Sequence, residues 1–236
     1  MIDIHCHLLH GVDDGPEKIE LSIAMLQLAK EQGITDIVLT PHYRRGMFKF
    51  DGDLVKAQMI ELAPHAQEVG IKLHIGTEVH VNGDILEYLE ERRVFTLADS
   101  GYVLTEYGYD TDYSYIFRMT HELLRHGYIP IIAHVERYAC LVKNPKRLEE
   151  LQEIGAWIQC NAAAIIGEEG WGTKQFCKKL LKAGWVDVVA SDSHDKKKRK
   201  CYMEQAYDYI TEKFGEKLAN RLMIKNPKKI ICEERI

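Results

Sequence analysis

His5-Cys6-His7 opens the chain with two imidazoles one residue apart, at the end of a short β-type run. In an extended segment those two side chains point the same way, because a strand alternates with period two. Comparable residues recur downstream. Asp13-Asp14-Gly15-Pro16 precedes the first helical pattern, and Thr40-Pro41-His42, Gly76-Thr77-Glu78 and Thr105-Glu106 each end an apolar run. So do Ala133-His134-Val135-Glu136-Arg137-Tyr138, Asn161 and Ser191-Asp192-Ser193-His194. Imidazoles and carboxylates together, with few thiols, suit Mn, Fe or Zn. The donors are too many for one ion, and a carboxylate such as Glu78 can bridge two. Ions roughly 3.5–4 Å apart hold a phosphoryl group and generate a hydroxide nucleophile.

Each residue also has a plainer role. A single His5 or His42 is more often structural than ligating. A carboxylate at a strand end often caps the next helix, as Asp13 and Asp14 are placed to do for helix one and Asp192 for the last. Coincidence at the same end of six runs favours the metal site. His65, His121 and His126 fall in helical patterns and His74 falls mid-strand, so they read as surface or packing residues. His10 and His80 lie near the pattern but off it.

Arginine forks match phosphate bidentately. Arg137 follows His134 by three residues, and Arg44 and Arg45 follow His42 in Tyr43-Arg44-Arg45-Gly46-Met47-Phe48. Lys196-Lys197-Lys198-Arg199-Lys200 follows His194. Positive charge at a helix start opposes the macrodipole, so local stability does not account for that run. It is either a solvated loop or a basic rim that steers an acidic phosphopeptide, with Arg199 as the member that reaches phosphate. No cysteine has an arginine six positions later, which excludes the loop of a cysteine-based phosphatase. Asp110-Thr111-Asp112 does not follow an apolar strand, so an aspartyl-phosphate motif is discounted.

The elements that must position these residues alternate along the chain. Strand patterns run over 2–4, 35–40, 71–77, 101–105, 129–133, 156–160 and 186–191. Helix patterns run over 17–32, 53–69, 83–92, 114–126, 145–154, 172–183 and 199–224. Ile19, Ile23, Leu26 and Ala29 stripe the first helix, and Gly33 is a left-handed stop. Pro64 is expected to kink or split the second helix. Pro145 opens the fifth. Seven strand–helix units give one βα domain over 1–236 with a largely parallel sheet. An open doubly wound sheet gathers its site at one switch point. A barrel uses the carboxyl ends of most of its strands, so the ligand pattern selects a barrel.

Composition sets the remaining bounds. At 236 residues, 46% apolar and 28% charged, the chain is ordinary for a globular protein with a sizeable core. A net charge of −5 argues against wholesale nucleic-acid binding. No apolar run approaches the ~20 residues that cross a bilayer, and the N-terminus lacks a signal-peptide pattern. Six scattered cysteines without a C-x-x-C pair read as reduced thiols in a cytoplasmic protein.

With His5-Cys6-His7, His42, Glu78, His134 and Asp192-Ser193-His194 in place, the chain resembles the PHP (polymerase and histidinol phosphatase) superfamily. Within it the chain is most similar to the bacterial manganese-dependent tyrosine-protein phosphatases of capsule and exopolysaccharide gene clusters. The carriers are Asp3 to His7 with Val12 to Pro16, His42 to Phe48, His134 to Tyr138, Ala190 to His194, Arg199, Ala206-Tyr207 and Asn226-Pro227. Tyr107-Gly108-Tyr109-Asp110 departs from that pattern.

The resemblance implies a distorted (β/α)7 TIM-like barrel holding three divalent ions, Mn first and Fe or Zn as alternatives. It assigns His5, His7, Glu78 and Asp192 to one ion. Glu78, Glu106 and His134 go to a second, and Asp14, His42 and His194 to a third. Arg137 and Arg199 would grip phosphate, with Arg44 or Arg45 helping. The implied substrate is phosphotyrosine on a membrane-anchored bacterial tyrosine kinase, with no nucleic acid and no insertion into the membrane. The alternatives are a small-molecule phosphomonoesterase such as a histidinol phosphatase, and a non-catalytic metal-binding docking module.

Overall fold

Nine strand segments run parallel and form two sheets, ordered β1-β2-β4 and β3-β5-β6-β7-β8-β9, in a computed structural model that describes residues 1–232. The strands are β1 (Ile2–Cys6), β2 (Asp36–Leu39), β3 (His42–Tyr43), β4 (Lys72–Ile75), β5 (Glu78–His80), β6 (Tyr102–Glu106), β7 (Ile129–Ile132), β8 (Trp157–Asn161) and β9 (Val188–Ala190). The last four residues of the expected 1–236 domain lie outside the described residues.

Four of these segments are two interrupted strands. Leu39 pairs with Ile75 and His42 with Glu78, so Thr40-Pro41 lies opposite Gly76-Thr77. Pro41 has no N–H to give the ladder, and both strands break together there. Seven strand positions result, the number the alternating pattern predicted. The sheet curls until its edges meet. The His7 N–H donates to the Ser193 carbonyl at 2.9 Å, and the Asp192 N–H donates to the His5 carbonyl at 2.9 Å. This curled parallel sheet with helices outside is the α/β barrel-like architecture expected from the ligand pattern.

The helices are α1 (Ile19–Glu31), α2 (Gly52–Val69), α3 (Ile85–Glu90), α4 (Tyr113–Arg125), α5 (Ala139–Lys143), α6 (Lys146–Glu153), α7 (Ala162–Ile166), α8 (Trp171–Ala183), α9 (Met203–Phe214), α10 (Glu216–Asn220) and α11 (Asn226–Cys232), with a π-helical stretch at Arg221–Lys225. Their apolar stripes cover the outer face of the strands, where Ile37, Leu39, Val79, Val103, Ile132, Ile158 and Val189 pack. Ile2, Ile4, Val38, Leu104, Ile131, Ala133, Val188 and Ala190 form a second core in the space the strands enclose.

Two expectations need correction. Helix α2 is not split at Pro64, an exposed position within its span. Asp51 also holds its start, accepting the N–H groups of Asp53 and Leu54 at 3.0 and 3.2 Å. The expected helix over 199–224 starts only at Met203 and ends first at Phe214. Gly215 (φ 92°) then sits in the left-handed region, which stops the helix.

Candidate metal centre

The inward core of β1 ends in a β-bulge. Asp3 pairs with Ile37 and Cys6 with Leu39, so three residues of β1 span two of β2. The extra residue reverses the alternation. Ile4 faces the enclosed core and Cys6 the outer one, yet His5 and His7 turn inward at the mouth. Glu106 follows the inward Leu104, and Asp192 follows the inward Ala190, with no such reversal. His134 and Asp192 hold φ of 32° and 51°, a left-handed conformation that non-glycine residues rarely adopt. Strain of that kind gathers where a side chain must be aimed.

Glu78 is the centre of the arrangement. It is fully buried, and its Oε2 lies 3.3 Å from His5 Nε2, 3.2 Å from His7 Nε2 and 2.9 Å from His42 Nδ1. Its Oε1 lies 2.7 Å from His134 Nε2. His5 Nε2 also approaches Asp192 Oδ1 at 3.3 Å. Beside this group, Asp14 Oδ1 lies 3.2 Å from His194 Nε2 and 3.4 Å from His42 Nε2.

Several of these close approaches are not hydrogen bonds. Glu78 Oε2, Glu106 Oε2, His42 Nδ1 and His194 Nε2 are buried without any hydrogen-bond partner. Lone pairs that converge in pairs on one point, out of hydrogen-bond alignment, are what a shared cation requires. Buried polar atoms otherwise almost always find a partner. Donor atoms from three overlapping groups lie within 4.8 Å of one another: His5, His7, Glu78 and Asp192; His7, Asp14, His42 and His194; and His42, Glu78 and Glu106. The residues therefore fit a multinuclear centre of hard to borderline divalent ions. The grouping differs from the expected one in two details. His42 joins Glu78 and Glu106 within that distance while His134 meets Glu78 alone, and His7 belongs to both larger groups.

The electrostatics follow from the crowding. Burial opposes charge on Glu78, but the imidazoles of His5 and His42 outweigh it and hold its carboxyl well below the ordinary range. Asp192 is held low in the same way by His5 and Arg137. His194 goes the other way: burial and the nearby His7 push it down to about 4, and the His7 and His194 rings stack with centroids 3.8 Å apart.

Arg137 and Arg199 converge on the same carboxylate. Arg137 NH1 forms an ion pair with Asp192 Oδ2 at 2.9 Å, and Arg199 NH2 donates to Asp192 Oδ1 at 3.2 Å. Arg199 NH1 also donates to Asp14 at 3.0 Å. Both guanidiniums line a cavity of about 240 Å³ with Asp14, His42, Arg44, Met47, Phe48, Glu106, His134 and Asp192. Arg44 reaches within 3.9 Å of Glu106. Arg45 does not join them. It turns outward to Asp84 at 2.6 Å and the Tyr88 hydroxyl at 3.0 Å, and it lines no part of this cavity.

Asp13 and Asp14 do not cap α1, whose N-cap is Lys18 without a side-chain bond. Asp13 instead lies 2.8 Å from His7 Nδ1 and accepts the N–H groups of His42 and Gly15 at 3.0 and 2.9 Å. Ligating histidines are usually oriented by such a carboxylate, and this role was missed in the sequence. Gln159 was missed too: its Oε1 lies 3.1 Å from His5 Nδ1 and accepts the His134 N–H at 3.0 Å. Its amide donates to Asn161, which donates to Asp192 at 3.0 Å. Asp3 is also buried, accepting the Ser191 N–H at 3.0 Å and so fixing β1 to the segment that carries Asp192. A polar residue inside an apolar strand, as at Asp3 and Gln159, is the signal that would have found them. His10 pairs loosely with Glu61 at 3.6 Å, and His74 lies 3.1 Å from Asp36, both away from the centre.

Comparison with known proteins places the same features in a wider set. Residues 1–232 match the family model described as capsular polysaccharide synthesis, CpsB/CapC. The chain is 40% identical to tyrosine-protein phosphatase CpsB of Streptococcus pneumoniae, over the full length of both. It is 34% identical to tyrosine-protein phosphatase YwqE of Bacillus subtilis (strain 168), covering 92% of this chain and 87% of that one. Among solved structures, one from the work on YwqE of Bacillus subtilis and CpsB of Streptococcus pneumoniae, described as unique metal-dependent tyrosine phosphatases, superposes with a TM-score of 0.93 at 32% identity, covering 100% of this chain and 96% of that one. An organophosphorus hydrolase variant shares the fold alone, at a TM-score of 0.63 and 11% identity, covering 98% of this chain and 92% of that one.

Proposed function

The chain belongs to the CpsB/CapC family of capsular polysaccharide synthesis, and from that premise we propose that it hydrolyses phosphotyrosine in proteins, using divalent metal ions. One observation carries the reading. The buried Glu78 Oε2 faces three imidazole nitrogens within 3.3 Å and has no hydrogen-bond partner of its own. That arrangement suits a carboxylate bridging cations, and a multinuclear centre suits phosphate-ester hydrolysis.

The reading takes residues 1–236 as one catalytic domain. His5, His7, Asp14, His42, Glu78, Glu106, His134, Asp192 and His194 would hold three ions, with manganese first among the candidates. When bound, such ions supply Lewis-acid charge and activate a water for in-line attack. The chain's own cations complete the site. Arg137 and Arg199 each present a guanidinium fork toward the cavity and would take the non-bridging phosphate oxygens, where charge is greatest in transfer. Arg44 lines the same cavity. Phe48 stacks on His42 with parallel rings 5.2 Å apart and gives the mouth an apolar side for the tyrosyl ring. Phenolate, with a pKa near ~10, leaves without a dedicated acid.

The natural substrate in this reading is a bacterial tyrosine kinase anchored in the membrane, and the site of action is the cytoplasm. The capsule-synthesis family description supports that setting. No helix among the described residues is long and apolar enough to cross a membrane.

The test is hydrolysis of a phosphotyrosyl peptide by chelator-stripped protein, with and without Mn²⁺, against histidinol phosphate as the competing substrate. Metal-dependent release of phosphate from the peptide supports the reading. Turnover of histidinol phosphate alone would move the chain to a small-molecule phosphatase. Folded protein inactive on both with every divalent ion would leave a binding module.

A further inference from the structure

A second cavity, of about 210 Å³, adjoins the first. The two share Arg137, Asp192 and Arg199 as a common wall. The second cavity is also lined by Lys198, Lys200 and Tyr202. The basic run noted in the sequence therefore does not trail into solvent along its whole length. Its middle and end face a cleft beside the phosphate-gripping arginines.

The run is also built rather than loose. The Asp195 carboxylate accepts the backbone N–H groups of Lys197, Lys198 and Arg199 at 2.5, 2.7 and 3.2 Å. The Arg199 carbonyl in turn accepts the N–H groups of His194 and Asp195 at 2.8 and 3.3 Å. This closed turn fixes the direction of the lysines before any ligand arrives, which lowers the ordering cost of binding. The acids in the cleft are already engaged. Glu168 accepts the Tyr202 hydroxyl at 3.0 Å, and Glu169 accepts from Arg137 at 3.3 Å and from Asn161 at 3.4 Å. Among the described residues neither Lys198 nor Lys200 has a carboxylate within 4.0 Å. Lys200 only rests over the Tyr202 ring at 4.9 Å. Helix α9 begins after the run, at Met203, so these charges do nothing for its dipole.

We propose that this cleft is an anion subsite that takes a carboxylate or a second phosphate carried by a residue next to the reacting phosphotyrosine. The proposal rests on the phosphotyrosine reading above and names the substrate class more narrowly. An extended peptide advances about 3.3–3.6 Å per residue, so neighbouring residues of one peptide can reach two cavities that share a wall. Paired unneutralised lysines beside an anion-binding wall select negative charge and raise the encounter rate with it.

The test compares three peptides of one sequence, each with a single reacting phosphotyrosine. The adjacent residue is alanine, aspartate or phosphoserine. Free phosphotyrosine serves as the reference. Wild type and the double variant Lys198→Ala/Lys200→Ala are assayed with Mn²⁺ at low and moderate salt. Wild type is expected to favour the charged peptides through a lower KM, by about fivefold, the scale of one or two exposed ion pairs. The double variant should lose that preference while keeping wild-type kcat/KM on free phosphotyrosine and on the alanine peptide. A gain confined to the doubly phosphorylated peptide assigns the subsite to phosphate, and a gain shared with aspartate assigns it to either anion. Equal KM for all three peptides in wild type, or a variant that loses activity evenly on every substrate, overturns the subsite. Absence of turnover on every phosphotyrosyl peptide by metal-loaded wild type overturns the phosphatase reading itself, and the subsite falls with it.

Discussion

Glu78 and Asp192 are the single residues on which the proposed chemistry depends most, because each meets several cations or imidazoles at once. Glu78→Gln keeps the shape and removes the charge. It should cost at least about 100-fold in turnover, as removal of one preorganised electrostatic partner does, with the fold intact by circular dichroism. Activity at the wild-type level would mean that Glu78 holds no metal. His134→Ala and Asp192→Ala should likewise abolish turnover in folded protein. Asp13 acts through His7, so Asp13→Asn should weaken Mn²⁺ affinity by about 10–100-fold and be partly rescued by excess metal.

The imidazoles also predict a pH dependence of metal uptake. In protein stripped of metal, burial opposes charge on His5, but Glu78 and Asp192 outweigh it and raise its pKa from 6.5 to about 9. Glu78 and Asp14 raise His42 to about 11 against the same burial. A raised imidazole contributes stability that is complete below pH 6.5 and is lost as pH rises through the folded value. A cation must displace those protons. Mn²⁺ affinity should therefore climb from pH 6.5 toward pH 9 with proton release on binding, which calorimetry in buffers of different ionisation enthalpy measures. Affinity independent of pH would show that the histidines are neutral before metal arrives.

Among the elements, the breaks and bulges aim the site more than the helices do. The bulge in β1 turns His5 and His7 inward, and the matched breaks at Thr40-Pro41 and Gly76-Thr77 bring His42 beside Glu78. Glycine is required at two of the joints. A Cβ on Gly15 would lie 2.6 Å from the His7 carbonyl oxygen, which is backbone and cannot yield without moving His7. A Cβ on Gly76 would lie 2.9 Å from both Leu97 and Val38. Gly15→Ala should therefore lower stability by about 1–3 kcal/mol, the scale of overpacking, and weaken metal binding with it. Thermal melts with and without Mn²⁺ separate the two effects. A variant with wild-type stability and affinity would show that the loop from Asp13 to Pro16 is not rigid.

For the whole molecule, metal and fold are linked. Carboxylates and imidazoles from six of the seven strand positions meet at one mouth, so ions bound there would join the ring of strands from β1 round to β9. Free metal at about 100 times its dissociation constant stabilises the folded state by about 2.7 kcal/mol. In a chain of this size that is about 5–10 °C in Tm. Chelation should lower Tm by that amount and remove activity, and Mn²⁺ should restore both. A Tm indifferent to chelator would mean that the donors are held in place without ions.

The sequence by itself determined the alternation of strand and helix, and it picked out the candidate donors at one end of the sheet. Hydrophobic period and residue type are local properties, and His, Asp and Glu placed after apolar runs declare themselves one run at a time. Glu78 and His134 could be picked out that way although they lie far apart in the chain. The tertiary structure decided which donors lie together, so that His42 comes within 4.8 Å of both Glu78 and Glu106 while His134 meets Glu78 from the other oxygen. It turned Arg45 away to Asp84 and placed Lys198 and Lys200 on a second cleft. It also gave roles to Asp3, Asp13 and Gln159, whose partners come from distant strands and loops. Those outcomes depend on a bulge of one residue and on how far the sheet curls. Both are set by the packing of all the strands at once, and no local pattern encodes them.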